Sequence, residues 1–396
     1  MHNPPKTNVQ LYQLKKQIKQ WGQELGFADV GISHIDLSKY EADHFNWLGE
    51  NYHGEMAYMA KHGTKRTRPN ELEPGTQSII SVRLNYFDQS AESAINQLQT
   101  PDKAYISRYA LNKDYHKIMR KRLQKLAFKI DEQVENFSYR AFSDSAPVLE
   151  KAIAQEAGLG FIGKHSLVIH PKAGSWFFLG ELYCNLPIPA DEAVTKQGCG
   201  PCTSCIDECP TQAIKDGNMV DARRCVSYLT IEYKGEIADE LKEKMGNRIY
   251  GCDDCQLVCP WNKFTEDTQE EAFKNKHILD KASLLELLAW NENTFLKQLE
   301  GSPIRRIGFD QWQRNLCTAI GNEDYRQENL DALEHINTTS AIVEKHKQWA
   351  IKQQQKSKKT LKSTQGGIKL TDKTITTSRY LTPNKPAIAP KYYGIN

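Results

Sequence analysis

Eight of the ten cysteines in this 396-residue chain fall between positions 199 and 259, in two near-copies of one spacing. The first copy runs Cys199, Cys202, Cys205, Cys209, Pro210, and the second runs Cys252, Cys255, Cys259, Pro260. Ile249 stands where the second copy would call for another cysteine, and Cys225 lies between the two. In the bacterial two-cluster ferredoxin run, three close thiolates grip one 4Fe-4S cube while a fourth, just before a proline, reaches across to the other cube. Applied to both copies, that rule assigns Cys199, Cys202, Cys205 and Cys259 to one cluster, and Cys209, Cys225, Cys252 and Cys255 to the other. Cys225 then supplies the ligand that Ile249 cannot. Zinc knuckles also use Cys-x-x-Cys, but zinc does not ask for a further step of four into Cys-Pro in both copies. Disulfides need an oxidising compartment, and nothing in the sequence indicates export. The leftover Cys184 and Cys317 sit in apolar contexts and read as buried, inert thiols.

The elements that must hold this chemistry follow from length and periodicity. A chain of 396 residues predicts two to four folding units. Hydrophobic content of 39% and charged content of 26% describe an ordinary soluble protein, with no apolar run approaching a membrane span. The opening MHNPPKTNVQ lacks the apolar core of a signal peptide, so a cytoplasmic location is expected. Net charge is only +3, but residues 352–396 carry ten Lys or Arg against one acid, Asp372. That stretch, which fills with Lys, Gln, Ser and Thr, reads as a basic, mobile tail, either a solvated end or a contact for a phosphate backbone.

Leu11, Leu14, Ile18, Trp21 and Leu25 line one face of a helix over 8–26 that Gly26 ends. Strands are predicted at 28–33, 78–86, 137–142, 166–170 and 175–183, with helices at 114–134 and at 147–157, the latter with Pro147 in its first turn and Gly158 past its end. Strands alternating with helices argue for an α/β sheet domain over 1–190, within a multidomain chain of α+β/α/β class. Residues 191–265 form the cluster region, short of regular structure and dependent on metal for order. Amphipathic helices at 282–299, 309–321 and 330–349 make a third, helical part over 266–350, followed by the tail, 351–396. Two cubes in series pass single electrons but seldom carry out substrate chemistry, so the first 190 residues imply a further redox site.

Several motifs resemble those of epoxyqueuosine reductase, a cobalamin-dependent family acting on tRNA. They are RTRP at 66–69, KDYH at 113–116, SDSAPVLEKAIAQEAGLGFIGKH at 143–165, the eight cysteines, and GSPIRRIGFDQWQRNLCTAIGN at 301–322. The resemblance covers about residues 8–345. It implies a corrinoid-binding domain like that of reductive dehalogenases, a ferredoxin-like domain with two 4Fe-4S clusters, and HEAT-like C-terminal helices. It also implies base-off cobalamin; the Asp-x-His-x-x-Gly ligand motif is absent, and His170 reads as a strand-end residue.

The implied reaction removes the epoxide oxygen of epoxyqueuosine at the wobble position, with electrons passing through the clusters to cobalt. Asp144 matches the family's proton donor. A carboxyl in a largely apolar pocket beneath a corrin ring is expected to have a raised pKa and to arrive protonated; alternatively Asp144 caps the helix starting near Pro147. Arg66, Lys164 and His165 are placed by the resemblance at corrin side chains, and Ser227, Asp253 and Asp254 bring the cofactor near the iron. Arg223, Arg224, Lys234, Arg305 and Arg306 are candidate tRNA contacts; each reads equally as a solvated charge. The partners implied are a tRNA carrying epoxyqueuosine and an electron donor, with no membrane, for a protein expected to be monomeric. Two other readings fit the cysteines: a corrinoid reductive dehalogenase acting on a small organohalide, and a ferredoxin-like electron carrier with an accessory domain.

Overall fold

The structure, a computed structural model, describes residues 8–88, 91–195, 198–215, 218–274 and 279–364. Helix α1 (Asn8–Glu24) buries Leu11, Leu14 and Ile18 at helical spacing. Gly26, at φ 85°, turns the chain into β1 (Asp29–Ser33). β2 (Ser78–Asn85), α2 (Tyr115–Asp131), β3 (Tyr139–Phe142), α3 (Glu150–Glu156) and β4 (Phe177–Cys184) complete the N-terminal layer. The sheet order is β1-β2-β4-β3, and every neighbouring pair is antiparallel. The domain is therefore α+β and not a parallel α/β layer, because its helices do not serve as crossovers between parallel neighbours.

One face of the sheet packs Val82 and Leu182 against Leu14 and Ile18 of α1 and Met119, Leu123 and Leu126 of α2. The other places Ile79, Phe142 and Tyr183 against Ile153 of α3. With both faces covered, β2 and β4 are buried along nearly their whole length. α3 lies so close that a Cβ on Gly31 would stand 2.0 Å from the Ala157 carbonyl oxygen at its end. Gly31→Ala is accordingly expected to destabilise the protein by at least about 1–3 kcal/mol. A thermal midpoint equal to the parent's would show that α3 can move away.

α3 begins later than its sequence suggests. Leu149 stands at its N-terminal boundary without a capping side chain. Asp144 is therefore not its cap.

The cluster region contains only short pieces, such as the four-residue helices Ser204–Asp207 and Asp254–Leu257. It is stitched to its surroundings by Arg248–Tyr250, which pairs in parallel with Tyr105–Ile106. Ile249 explains itself here. It is fully buried (0% exposed) in the C-terminal core with Leu284, Trp312 and Leu316, where a cluster ligand would be out of reach of solvent and metal alike.

The C-terminal part is helical, with two departures from expectation. Residues 282–299 form two helices, Leu284–Leu288 and Glu292–Gln298. Each has its own start, a Ser283–Glu286 capping box and an Asn291 cap, which breaks the single predicted helix. α4 (Phe309–Gly321) falls where predicted and packs against α5 (Ala341–Thr364), which does not stop at residue 350. Gln354 carries it onward by donating to the Ile320 and Glu323 carbonyls, each at 2.9 Å, so the basic stretch begins as helix. The remainder of the predicted tail, 365–396, lies outside the described residues.

Buried Arg314 of α4 donates to the carbonyls of Leu229 (2.5 Å), Tyr233 (2.6 Å) and Gly235 (3.1 Å), just beyond Cys225. Asn315 binds the carbonyls of Thr230 and Ile249, both at 2.9 Å. These contacts anchor the helical part onto the cluster region. Among the described residues, no helix is long and apolar enough to cross a membrane.

Candidate active site and cluster thiols

The eight motif cysteines converge in two groups, crossed between the copies. Cys259 packs with Cys199, Phe161 and Ile169, and the charges of Cys199, Cys205 and Cys202 all reach it. Cys225 and Cys252 pack on one apolar cluster with Val226 and Leu229. Cys209 acts on Cys225, and Cys225, Cys205 and Cys209 all act on Cys255, with Cys205 packed beside Cys209 and Cys255 where the two groups adjoin. Burial pushes the Cys199, Cys205, Cys225, Cys252, Cys255 and Cys259 thiols up, Cys259 to about 12. The backbone N–H groups of Ser227 and Tyr228 oppose this at Cys225, and the Ala213 N–H donates to Cys209 Sγ at 3.2 Å. Such donors are what stabilise cluster sulfurs. Among the described residues, no three His, Cys, Asp or Glu side chains crowd to the spacing of a single-ion site. The thiols of a cube stand at its corners, farther apart.

Asp144 sits in the loop between β3 and α3 with φ 56°, a left-handed conformation, and its N–H donates to Glu150 Oε1 at 2.5 Å. Protein surrounds it on most sides, yet 52% of its side chain is exposed. Its Oδ2 accepts from the Tyr115 hydroxyl and lies 3.5 Å from His116 Nε2. His116 Nδ1 is 2.6 Å from Asp114 Oδ1, so the imidazole bridges two carboxylates. Tyr115 is clamped between the rings of His116 (4.1 Å) and Phe178 (3.8 Å). α2 places this pair because Asp114 caps it, accepting from the His116 N–H at 3.0 Å.

The electrostatics correct one expectation. Burial does push Asp144 up, but the hydrogen bonds from His116 and Tyr115 outweigh it and hold the carboxyl below its ordinary value. Burial likewise works against the charge on His116, but Asp114 and Asp144 raise it to about 9. The proton of this cluster therefore rests on His116. Glu150, next in line, is pushed up to about 8 by burial and then by the Asp144 charge.

Other predicted residues divide. Arg66 is buried beside the site, donating to the Tyr58 carbonyl at 3.1 Å, with Nε unpartnered. Tyr58 in turn faces Glu232 and Asp144, while Met56, two residues earlier, packs with Cys225 and Cys252. The second thiol group and Asp144 thus back onto one short segment. His165 is buried with Nε2 unpartnered; burial and the Lys151 charge push it down to about 4. Lys164 is engaged elsewhere: its ammonium holds the first cluster loop through the carbonyls of Gly200 and Cys202, both at 2.9 Å.

Asp253 is held by the segment around Tyr105, whereas Asp254 both pairs with Arg248 and accepts from the Cys252 thiol at 2.8 Å. Asp253 accepts from Tyr105 (2.8 Å), Ser107 (2.5 Å) and the Arg108 N–H (2.8 Å), and Asp254 pairs with Arg248 at 2.5 Å. Ser227 meets Cys225 through its backbone. Arg223 is held by Asp221, and Arg224 by the Thr211 carbonyl. Arg306 comes to the mouth of the site, 3.5 Å from His116 Nδ1. Cys184 and Cys317 are buried, as expected.

This arrangement has known relatives. The family model described as "Epoxyqueuosine reductase QueG, DUF1730" matches residues 66–145, and that of a "4Fe-4S double cluster binding domain" matches 198–262. Epoxyqueuosine reductase of Vibrio cholerae is 54% identical over 342 residues, covering 86% of this chain and 92% of its own. That of Escherichia coli is 51% identical over 346 residues, covering 87% and 91%. A crystal structure of epoxyqueuosine reductase with an epoxyqueuosine-modified tRNA-Tyr stem loop superposes with a TM-score of 0.78, at 25% identity, over 91% of this chain and 96% of that one. Sharing half its residues with these enzymes over nearly their whole length, the chain belongs to the epoxyqueuosine reductase family.

Proposed function

We propose that the chain reduces the epoxide of epoxyqueuosine in a tRNA anticodon to the alkene of queuosine, using two 4Fe-4S clusters and base-off cobalamin. The observation that carries this reading is the Asp144–His116–Tyr115 cluster, half-exposed at Asp144, joined through the Met56–Tyr58 segment to the apolar cluster that holds Cys225 and Cys252. The unpartnered buried Arg66 Nε and His165 Nε2 would offer polar contacts to the amide side chains of a corrinoid. When bound, it supplies low-potential electrons to the epoxide carbon. His170 is not offered as a ligand, since its Nδ1 accepts from the Lys172 N–H at 3.3 Å.

The chain's own residues manage the proton. Reduction of an epoxide to an alkene and water consumes two electrons and two protons, and the departing oxygen must be protonated. Asp144 keeps its side chain half-exposed while His116 keeps the proton behind it. As substrate covers the site and water leaves, burial of Asp144 deepens and favours transfer of that proton to the carboxyl. Exposed Arg305, Arg306 and Lys234 stand for backbone contacts to the anticodon loop, with the splayed wobble base entering beside them.

Nucleoside analysis of tRNA from a strain lacking the gene tests this reading. Epoxyqueuosine should accumulate and queuosine disappear, and the gene should reverse both. Normal queuosine in the deletion strain would support the dehalogenase reading; failure of the cluster-loaded protein to retain added cobalamin would support the carrier.

A further inference from the structure

The reduction needs two protons, and Asp144 with His116 accounts for one. A second acid stands behind them. Glu181, in the middle of β4, is fully buried (0% exposed), and neither carboxyl oxygen has a well-aligned hydrogen bond among the described residues, although the Ser81 hydroxyl and the Glu150 carboxyl lie within its reach. Register pairs it with Ser81 of β2 and Phe142 of β3, on the sheet face that α3 covers. The other β4 residues on that face are Phe177, Leu179 and Tyr183, so an acid there breaks an otherwise apolar or aromatic row.

The groups facing Glu181 are Glu150 from the start of α3, Asp144 from the loop before it, Ser81 from β2 and Tyr183 from β4 itself. The Ser81 and Tyr183 hydroxyls lack a well-aligned partner too. Lys151 acts on Glu150 and Asp144 and lies on their side of the group. An ionised carboxylate so placed costs several kcal/mol, so Glu181 holds its proton. Burial, then Glu150, keep its pKa well above the ordinary range. Glu150 links it to the site: its carboxyl reaches Glu181 on one side and feels the Asp144 carboxylate on the other, and its Oε1 accepts the Asp144 N–H, which holds the two side chains together.

We propose that Glu181 and Glu150 form a proton relay that supplies the second proton of the reduction through Asp144. The proposal rests on reading Asp144 as the donor to the departing oxygen. The first proton, from the Asp144–His116 pair, meets the oxygen as one C–O bond breaks. The second converts the resulting hydroxyl to water as the other C–O bond breaks and the alkene forms. Glu150 provides that proton by way of Asp144, Glu181 refills Glu150, and solvent restores both after product leaves. The two electrons come from the reductant that the enzyme's activity already requires.

Single-turnover rates of the loaded full-length enzyme, followed against pH for Glu150→Gln, Glu181→Gln and Asp144→Asn, test the relay. Near pH 6 the two Gln variants should stay within about tenfold of the parent, because a solvent proton can substitute for the relay there. The parent's rate should hold to about pH 8, where Glu150 titrates, and the Gln variants should fall about a pH unit or more earlier. Infrared difference spectra of the unloaded protein give an independent readout: a protonated-carboxyl C=O band present at neutral pH should vanish in Glu181→Gln. A parental pH profile in Glu150→Gln, or a parent without that band, overturns the relay. Should Glu181→Gln fail to fold, Glu150→Gln and the parent's band decide alone. Full activity in Asp144→Asn would instead remove the donor reading itself, whereas an inactive Asp144→Asn beside an unmoved Glu150→Gln profile removes only the relay.

Discussion

Replacing Cys259 with serine should remove about half of the enzyme's iron, and the half that is lost should be the cluster gripped by Cys199, Cys202 and Cys205. Cys259 sits in the second copy of the motif, yet it packs with Cys199 and receives the charges of all three first-copy cysteines. Cys209 is the mirror case, acting on Cys225 and Cys255. Crossed ligation therefore makes a non-additive prediction. Cys205→Ser with Cys259→Ser should lose no more iron than either alone, whereas Cys209→Ser with Cys259→Ser should lose both clusters and all turnover. Ligation within each copy predicts the reverse for Cys252→Ser with Cys259→Ser, which would then spare one cluster. Iron and acid-labile sulfide per chain, with electron paramagnetic resonance of the reduced protein, separate the two. The variants should also melt earlier, because a region built of four-residue helices leans on its metal for order.

That prediction was legible in the sequence because ligand spacing is a local property that a fold preserves. The helix over 309–321 was legible for the same reason: its apolar period is long and its flanks are clear. What was hidden lies where distant residues decide. The resemblance implied that Asp253 and Asp254 bring the cofactor near the iron; nothing local reveals that Tyr105 and Ser107, nearly 150 positions away, take the oxygens of Asp253. KDYH reads as a helix start, and Asp114 does cap that helix. Nothing local reveals that Tyr115 and His116 then meet a carboxylate 29 positions onward, or that Arg306 arrives from 190 positions away. Asp144 itself was placed by family resemblance. Its burial was foreseeable; the partners that reverse the effect of burial on its pKa were not.

Those partners set the second large effect. With His116 raised to about 9, the imidazolium persists across the neutral range, so beyond the limb that Glu150 sets near pH 8 turnover should fall further as pH rises through about 9. Stability should follow the same limb. A histidine whose folded pKa lies above its free value of about 6.5 contributes stability that is fully present below that value and is lost as pH rises through the folded one. Asp144→Asn removes one of the two carboxylates responsible. It should reduce turnover by about 10²- to 10⁴-fold, the usual contribution of a positioned acid, while both clusters and the corrinoid stay bound, since Asp144 touches no cysteine. It should also lower the pKa of His116, read from the pH dependence of its ring-proton resonance, but not to the free value, because Asp114 remains at 2.6 Å. A His116 that titrates near 6.5 in the parent would show that the carboxylates do not hold its proton. The acid delivering that first proton would then have to be sought among the other groups around Asp144.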